Sequence, residues 1–110
     1  MVQHDGPVRV ILRMDIVPGR EREFERVWLE IGTLIAAHPA NRGQVLVRDA
    51  EGGGGEVYHV FTDWADEASF REFELSEAHV EHRRRLGPLR AGGGMTVTRI
   101  VHDLRAAAVD

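Results

Sequence analysis

The chain has 110 residues, 43% hydrophobic and 29% charged, which suits one small folded core and is too apolar for disorder. It contains no Cys and no Lys, since all fourteen basic residues are Arg. Thiol catalysis, disulfides, thiolate metal sites, Schiff-base chemistry and a P-loop lysine are therefore excluded. A net charge of −4 argues against nucleic acid as the main partner.

The segment VRVILRMDIV from Val8 to Val17 alternates, which predicts a strand. Val8, Val10, Leu12, Met14 and Ile16 share one face, with Arg9, Ile11, Arg13, Asp15 and Val17 on the other. Pro18-Gly19 breaks it. A helix follows from about Arg20 to His38, with an apolar stripe of Phe24, Val27, Trp28, Ile31, Leu34 and Ile35. Glu21, Glu23 and Glu25 suit the positive N-terminal end of its dipole, and Pro39 forbids continuation. Asn41-Arg42-Gly43 then turns into a second strand, Gln44 to Arg48. The glycine-rich run after Asp49 reads as a hairpin tip, because it lacks the G-x-G-x-x-G pattern and opens no helix.

A third strand spans Glu56 to Trp64, with Tyr58, Val60, Thr62 and Trp64 on one face and His59, Phe61 and Asp63 on the other. Asp66 caps a short helix carrying Phe70 and Phe73. Ser76 caps a second helical segment, which Gly87-Pro88 closes. That segment places His79, His82 or Arg83, and Leu86 on one face, so histidines stand where a purely structural helix carries aliphatics. Two readings remain open: half-buried histidines satisfied in a core, or the wall of a pocket between helix and sheet. After Gly92-Gly93-Gly94 a last strand is predicted over Met95 to Leu104, followed by a loose tail, RAAAVD.

The order strand, helix, strand, strand, helical pair, strand predicts one α+β domain over residues 1–110, with its core at about 8–104. It is a ferredoxin-like β-α-β-β-α-β protomer, a four-stranded antiparallel sheet with helices on one face. The second face carries Ile11 and Val17 and needs a cover, which predicts a homodimer with two sheets packed face to face. No apolar run spans a bilayer and no secretory leader is seen, so a cytoplasmic protein with no membrane partner is expected.

From about Val8 to Leu104 the chain resembles the antibiotic biosynthesis monooxygenase (ABM) family. The likeness is carried by VRVILRMDIVPGREREFERVW, by the strand-ending Trp64 with its DEASFREF helix, and by SEAHVEHR followed by LGPL. It implies a dimeric α/β barrel, in a family that spans quinol and anthrone oxygenases, haem-degrading enzymes and isomerases. It further implies that Trp64 borders the pocket, and that His79 corresponds to a histidine of quinol-oxidising relatives. Two asparagines of the cofactor-independent anthrone oxygenases fall on Val60 and on Arg13, or on Leu12 if the register slips. The asparagine, tryptophan and histidine of the haem-degrading branch fall on Leu12, Phe73 and Arg83, and none is retained.

The expected activity is a small monooxygenase that oxidises an aromatic polyketide or quinol-type substrate with dioxygen, needing neither flavin nor metal. His79 is the candidate base and Trp64 its companion in the catalytic site. Tyr58, Phe70 and Phe73 offer stacking surface, while His82, Arg13 and Arg83 are candidate oxyanion contacts. His79 and His82 lack an identified third ligand for a metal. The same pocket would also suit aldol cyclisation of a poly-β-keto chain, or ligand binding by a non-catalytic dimer module.

Overall fold

The computed structural model describes residues 6–51 and 56–105. Four strands form one antiparallel sheet in the order β2-β3-β1-β4, where β1 is Val8–Ile16, β2 Asn41–Arg48, β3 Val57–Trp64 and β4 Arg90–Arg99. Helix α1 (Glu21–Ala36) links β1 to β2, while α2 (Glu67–Glu74) and α3 (Glu77–Leu86) link β3 to β4 through a 3-10 turn, Gly87–Leu89. This is the ferredoxin-like order anticipated from the periodicities. No helix among the described residues is long and apolar enough to cross a membrane.

The alternation of β1 decides which face is inside. Val8, Val10, Met14 and Ile16 are buried beneath the helices, with Val60, Thr62 and Trp64 beside them on β3. The capping residues act as their chemistry requires. Asp66 Oδ1 accepts from the Ser69 backbone N–H at 2.7 Å, and Ser76 Oγ accepts from that of His79 at 3.2 Å. Ser76 Oγ also donates to the Phe73 carbonyl at 2.6 Å, so one hydroxyl joins the end of α2 to the start of α3.

Three boundaries differ from the periodic reading. Strand β2 begins at Asn41, which pairs with Trp64, because Asn41 Oδ1 accepts from the Gly43 N–H at 2.9 Å and the register shifts before Gln44. Strand β4 runs over Arg90–Arg99 instead of Met95–Leu104, so the glycines lie inside it. At Gly93, with φ +153°, a Cβ would collide with the Arg13 carbonyl across the ladder, and only glycine permits that approach. Leu34, assigned to the buried stripe of α1, is 61% exposed, and Gly32 is buried in that helix. The glycines at 52–55 and the tail beyond 105 lie outside the described residues. Arg105, assigned to a loose tail, donates from Nη1 to Asp63 at 2.9 Å and bonds Asp103.

Candidate functional site

The core is divided. One buried cluster gathers Ile16, Phe24, Ile31, Tyr58 and Leu86, and a second gathers Val8, Val10, Trp64, Phe70 and Phe73. Leu12 and Ile35 pack against both. Along that seam, between the inner sheet face and the helices, lies a cavity of about 300 Å3. Its walls are largely apolar, and Gly32 on α1, which borders it, carries no side chain to fill it.

At one end the rings form a continuous wall. Trp64 lies 4.8 Å from Phe73 and 5.8 Å from Phe70 between centroids, and Phe73 lies 4.4 Å from His79. His79 is in turn 5.8 Å from His82, edge to face. His38 at the end of α1 meets Trp64 edge-on at 5.2 Å, with its Nδ1 occupied by the Ala40 N–H, so it packs the back of the indole.

Among the described residues, four buried side-chain polar atoms lack a hydrogen-bond partner: Trp64 Nε1, His79 Nδ1, His82 Nδ1 and Arg90 Nε. All four belong to residues lining this cavity. A buried donor left unmade costs about 1–3 kcal/mol, so native folds carry few of them. Four around one space leave it able to offer hydrogen bonds to its occupant, water or ligand.

Electrostatics agree. Burial, with the Arg83 and His82 charges adding to it, pushes the His79 imidazole from its ordinary 6.5 down to about 4. His82 is also lowered, by burial and then by Arg85. Both rings are therefore neutral at pH 7 and free to accept a proton. Two other lining groups are bonded to each other and to α1: Thr62 Oγ1 donates to Gln44 Oε1 at 3.2 Å, and Gln44 Nε2 donates to the Gly32 carbonyl. This bond ties β2 to α1 across the cavity floor. Among the described residues, no group of three His, Asp or Glu side chains gathers in a way that could hold a metal ion.

Six of the residues singled out from sequence line the cavity: Trp64, Phe70, Phe73, His79, His82 and Arg83. Two do not, and these are corrections. Arg13 points to the outer sheet face, where its Nε donates to Asp15 at 2.9 Å, because Leu12 and Met14 hold the inward positions of β1. Tyr58 faces inward but lies under α1, its ring 4.8 Å from Phe24 and its hydroxyl donating to Glu25 at 2.5 Å. Burial and that bond raise its pKa to about 12, so it is a core residue rather than a ligand wall.

Sequence reasoning missed Gln44, Glu74 and Arg90 in the lining. Gln44 is signalled by its register opposite Thr62, and Glu74 by its place at the helix break before His79. Arg90 had no local signal.

Comparison with known proteins agrees with this architecture. SnoaB, a cofactor-independent oxygenase of Streptomyces nogalater solved as a point variant, is 20% identical with a TM-score of 0.80, covering 91% of this chain and 98% of that one. A family protein of Caulobacter crescentus is 21% identical with a TM-score of 0.79, covering 89% and 92% of the two chains. One from Bordetella bronchiseptica is 23% identical with a TM-score of 0.77, covering 88% and 99%. At these identities the likeness is one of fold. No curated protein matches the chain in sequence. A family match, however, extends over residues 7–85, most of the chain, and with it the chain belongs to the antibiotic biosynthesis monooxygenase family.

Proposed function

We propose that this protein is a monooxygenase that takes an electron-rich aromatic substrate, an anthrone, phenol or quinol, into the cavity and lets it react with dioxygen. The observation that carries the reading is the set of four unpartnered polar atoms around one apolar, ring-walled space. A flat polycyclic ligand stacked on Trp64 and Phe73 would supply apolar contact, and its oxygens would supply the missing partners.

The chemistry needs no electron source beyond the substrate. For an anthrone, a ring CH2 is converted to C=O, one oxygen atom entering the product and the other leaving as water with the two hydrogens. The first step is loss of a proton, which makes the ring a strong enough electron donor to reduce dioxygen. His79 is neutral and unpartnered at Nδ1, and we assign it that proton. An imidazole lowered to about 4 is a weak base, so it works only if the anion is stabilised as it forms. Trp64 Nε1–H and the Arg83 cation stand on the same wall and supply that stabilisation.

We also assign this chain a homodimeric state. The outer sheet face presents Val45 at 53% and Val47 at 38% exposure, with Ile11 and Phe61 alongside, and helices cover only the other face. Sedimentation should give a dimer, and Val47→Arg a monomer.

Oxygen uptake tests the activity. Metal-stripped protein offered a simple anthrone and a simple hydroquinone should consume dioxygen above the spontaneous rate, with quinone appearing by absorbance. Uptake at the spontaneous rate by folded protein would reject the oxygenase. Conversion of a poly-β-keto chain without oxygen consumption would install the cyclase in its place.

A further inference from the structure

Arg90 opens β4 opposite Ile16, at the end of the cavity away from Trp64, which pairs with Val8. Regular alternation along β4 would send it outward: Met95 and Gly93 face inward opposite Leu12 and Met14, and Arg90 is three residues further back. It faces the cavity because the register shifts between Asp15 and Ile16. Ala91 is the extra residue, so Gly92 pairs with Asp15 and Arg90 with Ile16. A bulge that re-aims one side chain is a recurrent device beside binding sites.

Its surroundings fit a cation waiting for an anion. Arg90 Nε is buried with no partner, and among the described residues no carboxylate forms an ion pair with this guanidinium. Its ladder partner is the buried Ile16, and its head group lies against Gly93, opposite Met14. Space for the head group is left by Gly93, where a Cβ would stand 2.6 Å from Arg90 Nη2. Arg90 is half-buried, and the comparably half-buried Arg9 on the opposite face is paired with Asp63.

We propose that Arg90 is a second anion-binding residue of this cavity, apart from the groups that meet the reacting oxyanion, and that the substrate carries a carboxylate held by Arg90 while its rings stack against the Trp64 wall. The Arg90 head group reaches back along β4 to Gly93, opposite Met14, and so toward the ring-lined part of the cavity. The ligand is thus an electron-rich aromatic acid, its carboxylate a substituent on the rings. This proposal rests on the reading of the cavity as an aromatic-ligand site.

Two probes with the same rings separate charge from stacking: 3-hydroxy-2-naphthoate and 2-naphthol, titrated into the full-length protein by calorimetry. Wild type should bind the carboxylate at least about tenfold more tightly, as a charge-assisted pair requires. Arg90→Gln should erase that preference while leaving 2-naphthol affinity unchanged. Arg90→Lys should restore part of it, which also answers any folding defect in the first variant. Arg84→Gln, on the exposed side of α3, should keep the preference in full. Equal binding of the two probes by wild type would overturn the proposal and leave the aromatic site standing. So would a preference that survives in Arg90→Gln and disappears in Arg83→Gln. Binding of neither probe by folded protein would overturn both readings.

Discussion

The two faces of the sheet treat polar groups in opposite ways. On the outer face Asp63 is nearly buried, yet its two oxygens accept from Arg9 Nε at 2.8 Å, Arg9 Nη2 at 2.9 Å and Arg105 Nη1 at 2.9 Å. Burial pushes that carboxyl up, but the bonds from Arg9 and Arg105 outweigh it and hold it below its ordinary range. On the inner face no carboxylate bonds His79, and burial with the nearby Arg83 cation outweighs the pull of Glu74 and keeps the ring neutral. The buried carboxylate keeps its charge and the buried imidazole does not. A satisfied buried polar group specifies the fold, whereas a set of unsatisfied groups around a shared space marks a ligand site.

The largest expected effect lies on the inner face. His79→Ala should cut oxygen uptake by about 100-fold or more, the range a positioned base contributes, without unfolding the protein. The acid limb of kcat/KM in wild type should follow the same residue. Protonation removes the base, so the rate should hold as pH falls through 6.5 and drop only as it passes about 4. A break near 6.5 would show that burial does not hold His79 neutral, or that another group is the base.

Next comes the outer face. Asp63→Ala leaves Arg9 without its carboxylate and should lower stability in urea by about 1–2 kcal/mol, reduced from the fully buried case because both arginines reach solvent. A loss of a few tenths would erase the contrast between the faces. Smallest is Trp64→Phe, which removes an N–H that has no partner together with part of a fully buried indole. The lost volume should cost about 1 kcal/mol of stability, while turnover falls by about tenfold, the worth of one hydrogen bond made only to ligand. Unchanged turnover in the folded variant would mean that the indole N–H meets no ligand.

The alternation of β1 and β3 and the 3.6-residue spacing of α1 are local properties, and from them the order of elements along the chain and the faces of β1 and β3 could be written down before any contact was known. The caps at Asp66 and Ser76 are equally local, since each oxygen serves an N–H three residues on. Their positions bring Phe70, Phe73, His79 and His82 into one neighbourhood. Periodicity could not say where β4 starts, because three glycines look like a loop until another backbone lies against them. It could not distinguish Tyr58 from Trp64, two aromatics on one face of one strand, since only the position of α1 decides which is packed over and which borders space.

Arg90 is the extreme case. Its inward aim comes from one unpaired residue in a ladder between segments some 75 positions apart along the chain. Backbone preference and hydrophobic period are encoded within a turn or two and determined the fold. Register, bulges and the absence of a partner exist only once distant segments meet, and they decided the site.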